Sequence, residues 1–187
     1  MKRHSRSIVL VGMMGAGKSS VGVCLRRRTR LKLFDTDKIV TSKLGMPISE
    51  IFSKQGENKF REAETEVLQA LATTEPVVIV TGGGIVLREE NIPLLKRLGV
   101  VVCLEADEET LFKRASRAGS RPLLQCKNPK KTFTKMLRAR LPLYAKIADI
   151  RVDTSVLTDE EVAVAILSKF SRYYRKSAPA ATMPAIA

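Results

Sequence analysis

The sequence predicts an α/β fold in which a parallel β-sheet is covered by helices on both faces. Segments with helical periodicity separate five short apolar runs, at positions 8–11, 31–34, 77–80, 100–104 and 150–152. This alternation is typical of buried parallel strands that are joined through helices. A chain of 187 residues is long enough for one such domain with a sizeable core. The core should be aliphatic, because the chain contains no tryptophan.

The predicted helices span residues 18–29, 38–44, 48–54, 58–73, 89–98, 107–117, 130–146 and 158–173. Asp107 can cap the sixth of these, and an acidic first turn follows Thr158 in the last. Two segments do not fit the pattern. Residues 116–129 are rich in Gly, Pro and Arg, and a loop of this length is usually functional or disordered. Residues 177–187 are rich in Ala and Pro, and we expect a disordered tail after a single domain at 1–176.

A glycine-rich loop, GMMGAGKSS, follows the first apolar run directly. Its spacing is that of a phosphate-binding loop, in which backbone N–H groups and a helix N-terminus surround a polyphosphate. Lys18 would reach the β- and γ-phosphates, and the Ser19 hydroxyl would bind Mg²⁺. The order strand, loop and helix disfavours a chance glycine-rich turn. We therefore predict a nucleoside triphosphate site that includes Gly12, Gly15, Ala16, Gly17, Lys18, Ser19 and Ser20.

Two aspartates, Asp35 and Asp37 in the segment FDTD, close the second strand at the edge of the sheet where open α/β proteins bind ligands. The third strand runs into TGGG and lacks the aspartate that usually binds the metal there. Asp35 is therefore a candidate to help hold Mg²⁺, through water, and Asp37 would face the phosphoryl acceptor. In the alternative interpretation, both aspartates cap the helix that follows.

Three further positions are suited to an anionic, hydroxylated ligand. The run Gly82, Gly83 and Gly84 lets a small ligand lie on the backbone and bond to its N–H groups, although a flexible turn explains it equally well. Arg61, in FREAE, and Arg140, in RLPLY, carry the planar fork that binds carboxylates in a bidentate manner. For Arg61, a plain surface position stays open as an alternative.

In combination, these segments resemble the shikimate kinase family. GMMGAGKSS, FDTD, FREAE, TGGG, RPLL and RLPLY occur in the family's order, and the resemblance extends from about residue 7 to about residue 170. It implies a nucleoside-monophosphate-kinase-like fold with a five-stranded parallel sheet in the order 2-3-1-4-5. It also implies ATP-dependent phosphorylation of the 3-hydroxyl of shikimate, in the route to aromatic amino acids.

The resemblance also implies roles for individual residues. Shikimate would lie in an acceptor-binding segment at about 35–64 and beyond it, between Asp37, Phe60, Arg61, Gly82, Gly83, Gly84 and Arg140. A mobile lid at about 116–129 would carry Arg121 over the phosphates, with Arg114 along the adenine and Thr154 at its border. Lys18, Mg²⁺ and Arg121 would offset charge on the transferred group. Whether Asp37 accepts the hydroxyl proton or only orients the hydroxyl stays open. Gluconate kinase, which has the same fold and also acts on a carboxylated polyol, is the nearest rival.

Composition restricts the partners and the compartment. The net charge of +14 permits a nucleic-acid partner, but the basic clusters at 26–30, 127–138 and 169–176 lack regularly interleaved aromatic residues. We therefore expect no nucleic-acid partner, with a nucleotide-dependent nucleic-acid-binding protein as the third alternative. The cysteines Cys24, Cys103 and Cys126 share no metal-ligand spacing and favour a reducing cytoplasm, with the first two in the core. No run is long enough to span a membrane, and we expect a monomer.

Overall fold

A computed structural model describes residues 7–71, 75–117 and 122–177 of the protein. The strands are β1 (Ile8–Val11), β2 (Lys32–Asp35), β3 (Val77–Val80), β4 (Val100–Glu105) and β5 (Ile150–Asp153). They form a single parallel sheet in the order β2-β3-β1-β4-β5, which confirms the predicted topology. The predicted strands agree with these bounds to within one residue at either end.

The helices are α1 (Lys18–Thr29), α2 (Thr36–Leu44), α3 (Ile48–Ala70), α4 (Asn91–Leu98), α5 (Glu108–Arg117), α6 (Pro129–Ile147) and α7 (Asp159–Ser177). Short 3₁₀ turns lie at Ile85–Leu87 and Pro122–Leu124. The predicted helices 48–54 and 58–73 are the two halves of α3, which is kinked at Gly56 (φ 82°, ψ 165°). Ser177, the first residue of the predicted tail, is the last residue of α7 instead. Residues 178–187 lie outside the described part of the chain, so the rest of the tail stays a prediction.

The core explains why the strands are apolar. β1 and β3 are buried along their whole length, since they lie inside the sheet with helices on both faces. Cys103 is buried in this core as predicted, whereas Cys24 is half-buried at its edge and Cys126 is exposed. A second, smaller apolar cluster lies under α2 and α3 and consists of Val40, Ile51, Phe60, Ala63 and Val67.

Strand register brings the carboxyl ends of β1, β2 and β3 together. Asp35 at the end of β2 pairs with Val80 at the end of β3, and β1 lies on the other side of β3. The predicted cap of α5 is confirmed, because the Thr110 N–H donates to Asp107 Oδ1 over 2.8 Å. None of the helices in the described ranges has the length and apolar character needed to cross a membrane.

Candidate active site

The loop between β1 and α1 closes around its own lysine. Lys18 is buried, and its Nζ donates to the carbonyls of Gly12 (2.8 Å) and Met13 (3.0 Å). Gly15 has a left-handed φ of 86°, and a Cβ there would lie 2.3 Å from the Leu111 carbonyl oxygen, so a larger residue does not fit. The first turn of α1 contains no acidic residue, and its free N–H groups favour an anion.

A cavity of about 690 Å³ lies in front of this loop. Its wall contains most of the residues that we predicted to bind nucleotide, namely Gly15, Gly17, Lys18, Ser19, Ser20 and Arg114. Three others, Gly12, Ala16 and Thr154, are buried and do not line the cavity, and the last one, Arg121, lies outside the described residues. Thr154 holds Arg114 in place, because its Oγ1 accepts from Arg114 Nη1 at 3.1 Å and its carbonyl accepts from Nη2 at 2.9 Å.

The two aspartates of FDTD have different positions. Asp35 caps α2, because its Oδ1 accepts from the N–H groups of Asp37 (3.1 Å) and Lys38 (3.3 Å). The capping interpretation is therefore confirmed for Asp35, which also lines the nucleotide cavity together with Ser19. Asp37 lies in the first turn of α2 and lines both this cavity and the one described next. Within the described ranges, no group of three or more His, Cys, Asp or Glu residues could hold a metal ion.

A second cavity of about 440 Å³ lies beside the first. All seven residues predicted for the acceptor line it: Asp37, Phe60, Arg61, Gly82, Gly83, Gly84 and Arg140. Phe52, which sequence reasoning did not identify, completes part of the wall. The 3₁₀-turn residues Pro122 and Leu123, which we predicted only as part of the lid, also line it. Both cavities share Met14, Asp37 and Gly83. The two cavities therefore meet at these three residues, and we call this place the junction.

The glycine run is required by close contacts rather than by backbone flexibility. A Cβ on Gly84 would lie 2.2 Å from the Arg61 guanidinium carbon. A Cβ on Gly82 would lie 2.5 Å from Asp37 Oδ1 and also 2.5 Å from Glu64 Oε1. Neither glycine has a positive φ, so the absence of a side chain is the property used here. The flexible-turn interpretation is therefore not needed for these two positions.

Two carboxylates hold Arg61 on α3. Its Nη1 donates to Glu64 Oε2 (2.5 Å), while Nη2 and Nε donate to Glu57 Oε1 (2.8 and 3.2 Å). Burial opposes the charged form, but the two carboxylates outweigh it and raise the pKa of Arg61. Arg61 is 6 % exposed and is not the surface residue that the alternative interpretation allowed. We did not assign Glu57 and Glu64 to the site, although the FRxxE spacing places Glu64 one turn after Arg61.

Glu64 is fully buried at 0 % exposure. Burial raises its pKa to about 7, with Arg61 acting in the opposite direction and the negative charge of Asp37 adding to the rise. Its Oε1 has no hydrogen-bond partner among the described residues, and both this oxygen and Asp37 Oδ1 lie 2.5 Å from the position that a Cβ on Gly82 would occupy. Close to neutral pH, this carboxyl group is therefore divided between its protonated and ionised forms.

Arg140, on α6, is the second buried arginine that lines the acceptor cavity, at 4 % exposure. Its Nη1 donates to the Gly83 carbonyl at 3.3 Å, and the thioether sulfurs of Met13 and Met136 lie 4.0 and 3.8 Å from the guanidinium. In the parts of the chain that the structure describes, no ion pair includes Arg140. Arg121, by contrast, lies outside the described residues, as does the middle of the segment 116–129.

Comparison with known proteins agrees with this geometry. A family model described as "Shikimate kinase" matches residues 14–171. The chain belongs to the shikimate kinase family. A shikimate kinase of Thermodesulfovibrio yellowstonii is 44 % identical over 167 residues, which cover 89 % of this chain and 96 % of that protein.

Solved structures show the same relationship. A shikimate kinase from Acinetobacter baumannii, in complex with shikimate, superposes with a TM-score of 0.85 at 37 % identity, covering 89 % of this chain and 93 % of that one. A gluconokinase from Sinorhizobium meliloti superposes with a TM-score of 0.60 at 20 % identity, covering 94 % of this chain and 97 % of that one. The similarity to the gluconokinase shows only a common fold, so it does not support gluconate as the phosphoryl acceptor.

Proposed function

We propose that this member of the shikimate kinase family transfers the γ-phosphoryl group of ATP to the 3-hydroxyl of shikimate. One observation supports this proposal most directly. The buried guanidinium of Arg140 forms no ion pair with a described carboxylate, although its charge opposes the rise in the pKa of Glu64, and it lines a cavity that meets the phosphate-loop cavity at Asp37. A buried cation without a carboxylate in direct contact is costly, and an acceptor carboxylate supplies that contact.

The acceptor is held by complementary chemistry. Shikimate carries one carboxylate and three hydroxyls, and we propose that Arg61 and Arg140 bind the carboxylate. The backbone of residues 82–84 and the apolar ring of Phe60 border the six-membered ring. Arg61 already makes charge-assisted bonds to Glu57, which is about half exposed, so the incoming carboxylate competes for the same nitrogen atoms.

We propose that ATP occupies the larger cavity, with its phosphates on the backbone of the loop and on Lys18 and its adenine along Arg114. Ser19 and Asp35 are suited to Mg²⁺, because a hydroxyl and a carboxylate oxygen are hard ligands that line the same cavity. Mg²⁺, when bound, neutralises phosphate charge. Mg²⁺ usually keeps several waters, so Asp35 can act through water while it caps α2.

The phosphoryl group is transferred at the junction, where the two cavities meet. Asp37 is the carboxylate common to both cavities, and we propose that it accepts the proton of the attacking hydroxyl or orients that hydroxyl toward the γ-phosphate. Lys18 stabilises the charge on the migrating group. We further propose that segment 116–129 closes over both ligands and brings Arg121 to the phosphates. Pro122 and Leu123, which line the acceptor cavity, support this proposal, and protection of the segment from hydrogen exchange by the two ligands tests it.

We also propose a monomeric enzyme of the cytoplasm that needs neither nucleic acid nor membrane. Support for the monomer is that residues of one chain form both cavities. Light scattering during gel filtration tests the monomer. Binding to a nucleic-acid column tests the absence of a nucleic-acid partner. Retention that is lost at high salt, together with stimulation of ATPase activity by nucleic acid, would contradict this proposal.

The acceptor is tested by a coupled assay of ADP release with shikimate and gluconate at equal concentrations. We expect turnover with shikimate and little or none with gluconate. Arg61→Lys and Arg140→Lys should each raise the KM for shikimate about 10- to 100-fold, because lysine keeps the charge but loses the planar fork. The control is Arg151→Lys, since Arg151 pairs with Glu105 on the surface. Comparable turnover with gluconate, or unchanged KM in both variants, would overturn the assignment.

A further inference from the structure

Tyr144 is a buried side chain with a polar contact that the proposed mechanism has not used. It lies on α6 one turn after Arg140 and is 2 % exposed. Its hydroxyl donates to the carbonyl of Gly83, which is the same oxygen that accepts from Arg140 Nη1. Burial raises the pKa of this hydroxyl, so it stays a donor throughout the pH range of an assay.

The carbonyl that these two side chains share lies at a sensitive place. Gly83 is one of the three junction residues, and a Cβ on it would lie only 3.3 Å from the backbone nitrogen of Met14 in the phosphate loop. A small shift of Gly83 therefore changes the distance between the acceptor cavity and the phosphate loop. Phosphoryl transfer is sensitive to such shifts, because its catalysis depends on placing the two reacting groups in line.

We infer that Tyr144 is a positioning residue, whose hydroxyl satisfies the Gly83 carbonyl and thereby leaves the Arg140 guanidinium available to the carboxylate of the acceptor. The inference rests on the proposed function, because it explains how the Arg140 guanidinium is kept available to bind the carboxylate of shikimate. Without the hydroxyl, Arg140 would be the only side-chain donor described at this half-buried oxygen. The guanidinium would then be drawn toward the carbonyl and away from the acceptor, because a carbonyl that is partly shielded from water favours a charged donor that is already within reach.

Tyr144→Phe tests the inference, because it removes the hydroxyl and keeps the ring. We expect the KM for shikimate to rise about 3- to 10-fold, which is the range of one neutral hydrogen bond, with the KM for ATP unchanged. The matched control is Tyr173→Phe, the same change on α7, where all constants should stay as in the wild type. An equal rise in both KM values, or no rise in either, would overturn the inference.

A double variant tests the route through Arg140. In an Arg140→Lys background, the additional change Tyr144→Phe should alter the KM for shikimate less than about twofold, because both changes act on the same guanidinium. If the two effects multiply instead, Tyr144 acts independently of Arg140 and the inference is wrong. Activity of the wild type with shikimate is measured in the same series, so failure of the proposed function is seen separately.

If Tyr144→Phe does not fold, 3-fluorotyrosine provides the decisive measurement. The chain has three tyrosines, so Tyr173→Phe and Tyr174→Phe leave position 144 as the single site of incorporation. Fluorine makes the phenol a stronger donor while the ring and the hydroxyl remain. The KM for shikimate should fall relative to the parent double variant, whereas an unchanged or higher value would contradict the inference.

Discussion

Replacing Glu64 by glutamine should remove a defined part of the pH dependence of stability. The Glu64 carboxyl has a pKa of about 7 in the folded protein, against a reference value of 4.5. The folded state therefore binds this proton more tightly than the unfolded chain does. Between these two values the folded state carries more protons, so the free energy of unfolding falls as pH rises through this window.

The magnitude follows from the size of the shift. One pKa unit corresponds to about 1.4 kcal/mol, so Glu64 alone should lower the free energy of unfolding by about 2–3 kcal/mol between about pH 5 and about pH 8. Glutamine has the same shape and no titrating proton. The difference in unfolding free energy between the two pH values should therefore shrink by about that amount in Glu64→Gln.

Urea denaturation at both pH values measures this difference, and Glu66→Gln is the matched control on the same helix. Lys43 lowers the pKa of Glu66 through a side-chain hydrogen bond, which is the opposite direction to the shift at Glu64. The change Glu66→Gln should therefore not shrink the fall in unfolding free energy between the two pH values. If the unfolding free energy of Glu64→Gln fell between the two pH values by as much as that of the wild type, the conclusion that burial raises the pKa of Glu64 would be refuted.

Three further predictions concern activity in the coupled assay. Lys18→Ala should lower kcat by about 100-fold or more without loss of the fold, because the ammonium stabilises the migrating phosphoryl group; near-normal turnover would contradict the phosphate-loop assignment. Gly84→Ala should raise the KM for shikimate about 10-fold or more and spare that for ATP, since the new methyl group occupies the space of the Arg61 guanidinium; an unchanged KM would show that Arg61 can move away without consequence. Asp37→Asn should reduce kcat more than it weakens shikimate binding, and a selective loss of ATP binding would instead place Asp37 on the nucleotide side.

Much of the site could be predicted because its residues belong to short sequence segments that are recognisable by their composition and spacing. All seven acceptor residues are in segments whose order and spacing are distinctive, and the ends of parallel strands bring such segments to one edge of the sheet. The central strands β1, β3 and β4 could be predicted because strands buried on both faces are continuously apolar, whereas the edge strands β2 and β5 are apolar only in part.

Side-chain pairing could not be predicted from the same signals. The FDTD pattern did not show that Asp35 both caps α2 and lines the nucleotide cavity, because these contacts depend on the rotamer of its side chain. The contact between Tyr144 and Gly83 joins residues 61 positions apart, and no local periodicity encodes it. Phosphate-loop spacing likewise did not separate residues that line the cavity from buried residues that do not, such as Ala16.

The small apolar cluster under α2 and α3 has an evolutionary consequence. Its five buried residues pack with one another and form a cluster separate from the main core around the sheet, and one of them, Phe60, also lines the acceptor cavity. A substitution in this cluster can therefore reshape the acceptor cavity while the packing behind the phosphate loop stays intact. Selection for a new acceptor can therefore act through these five positions, none of which lines the nucleotide cavity, and leave the phosphate loop as it is.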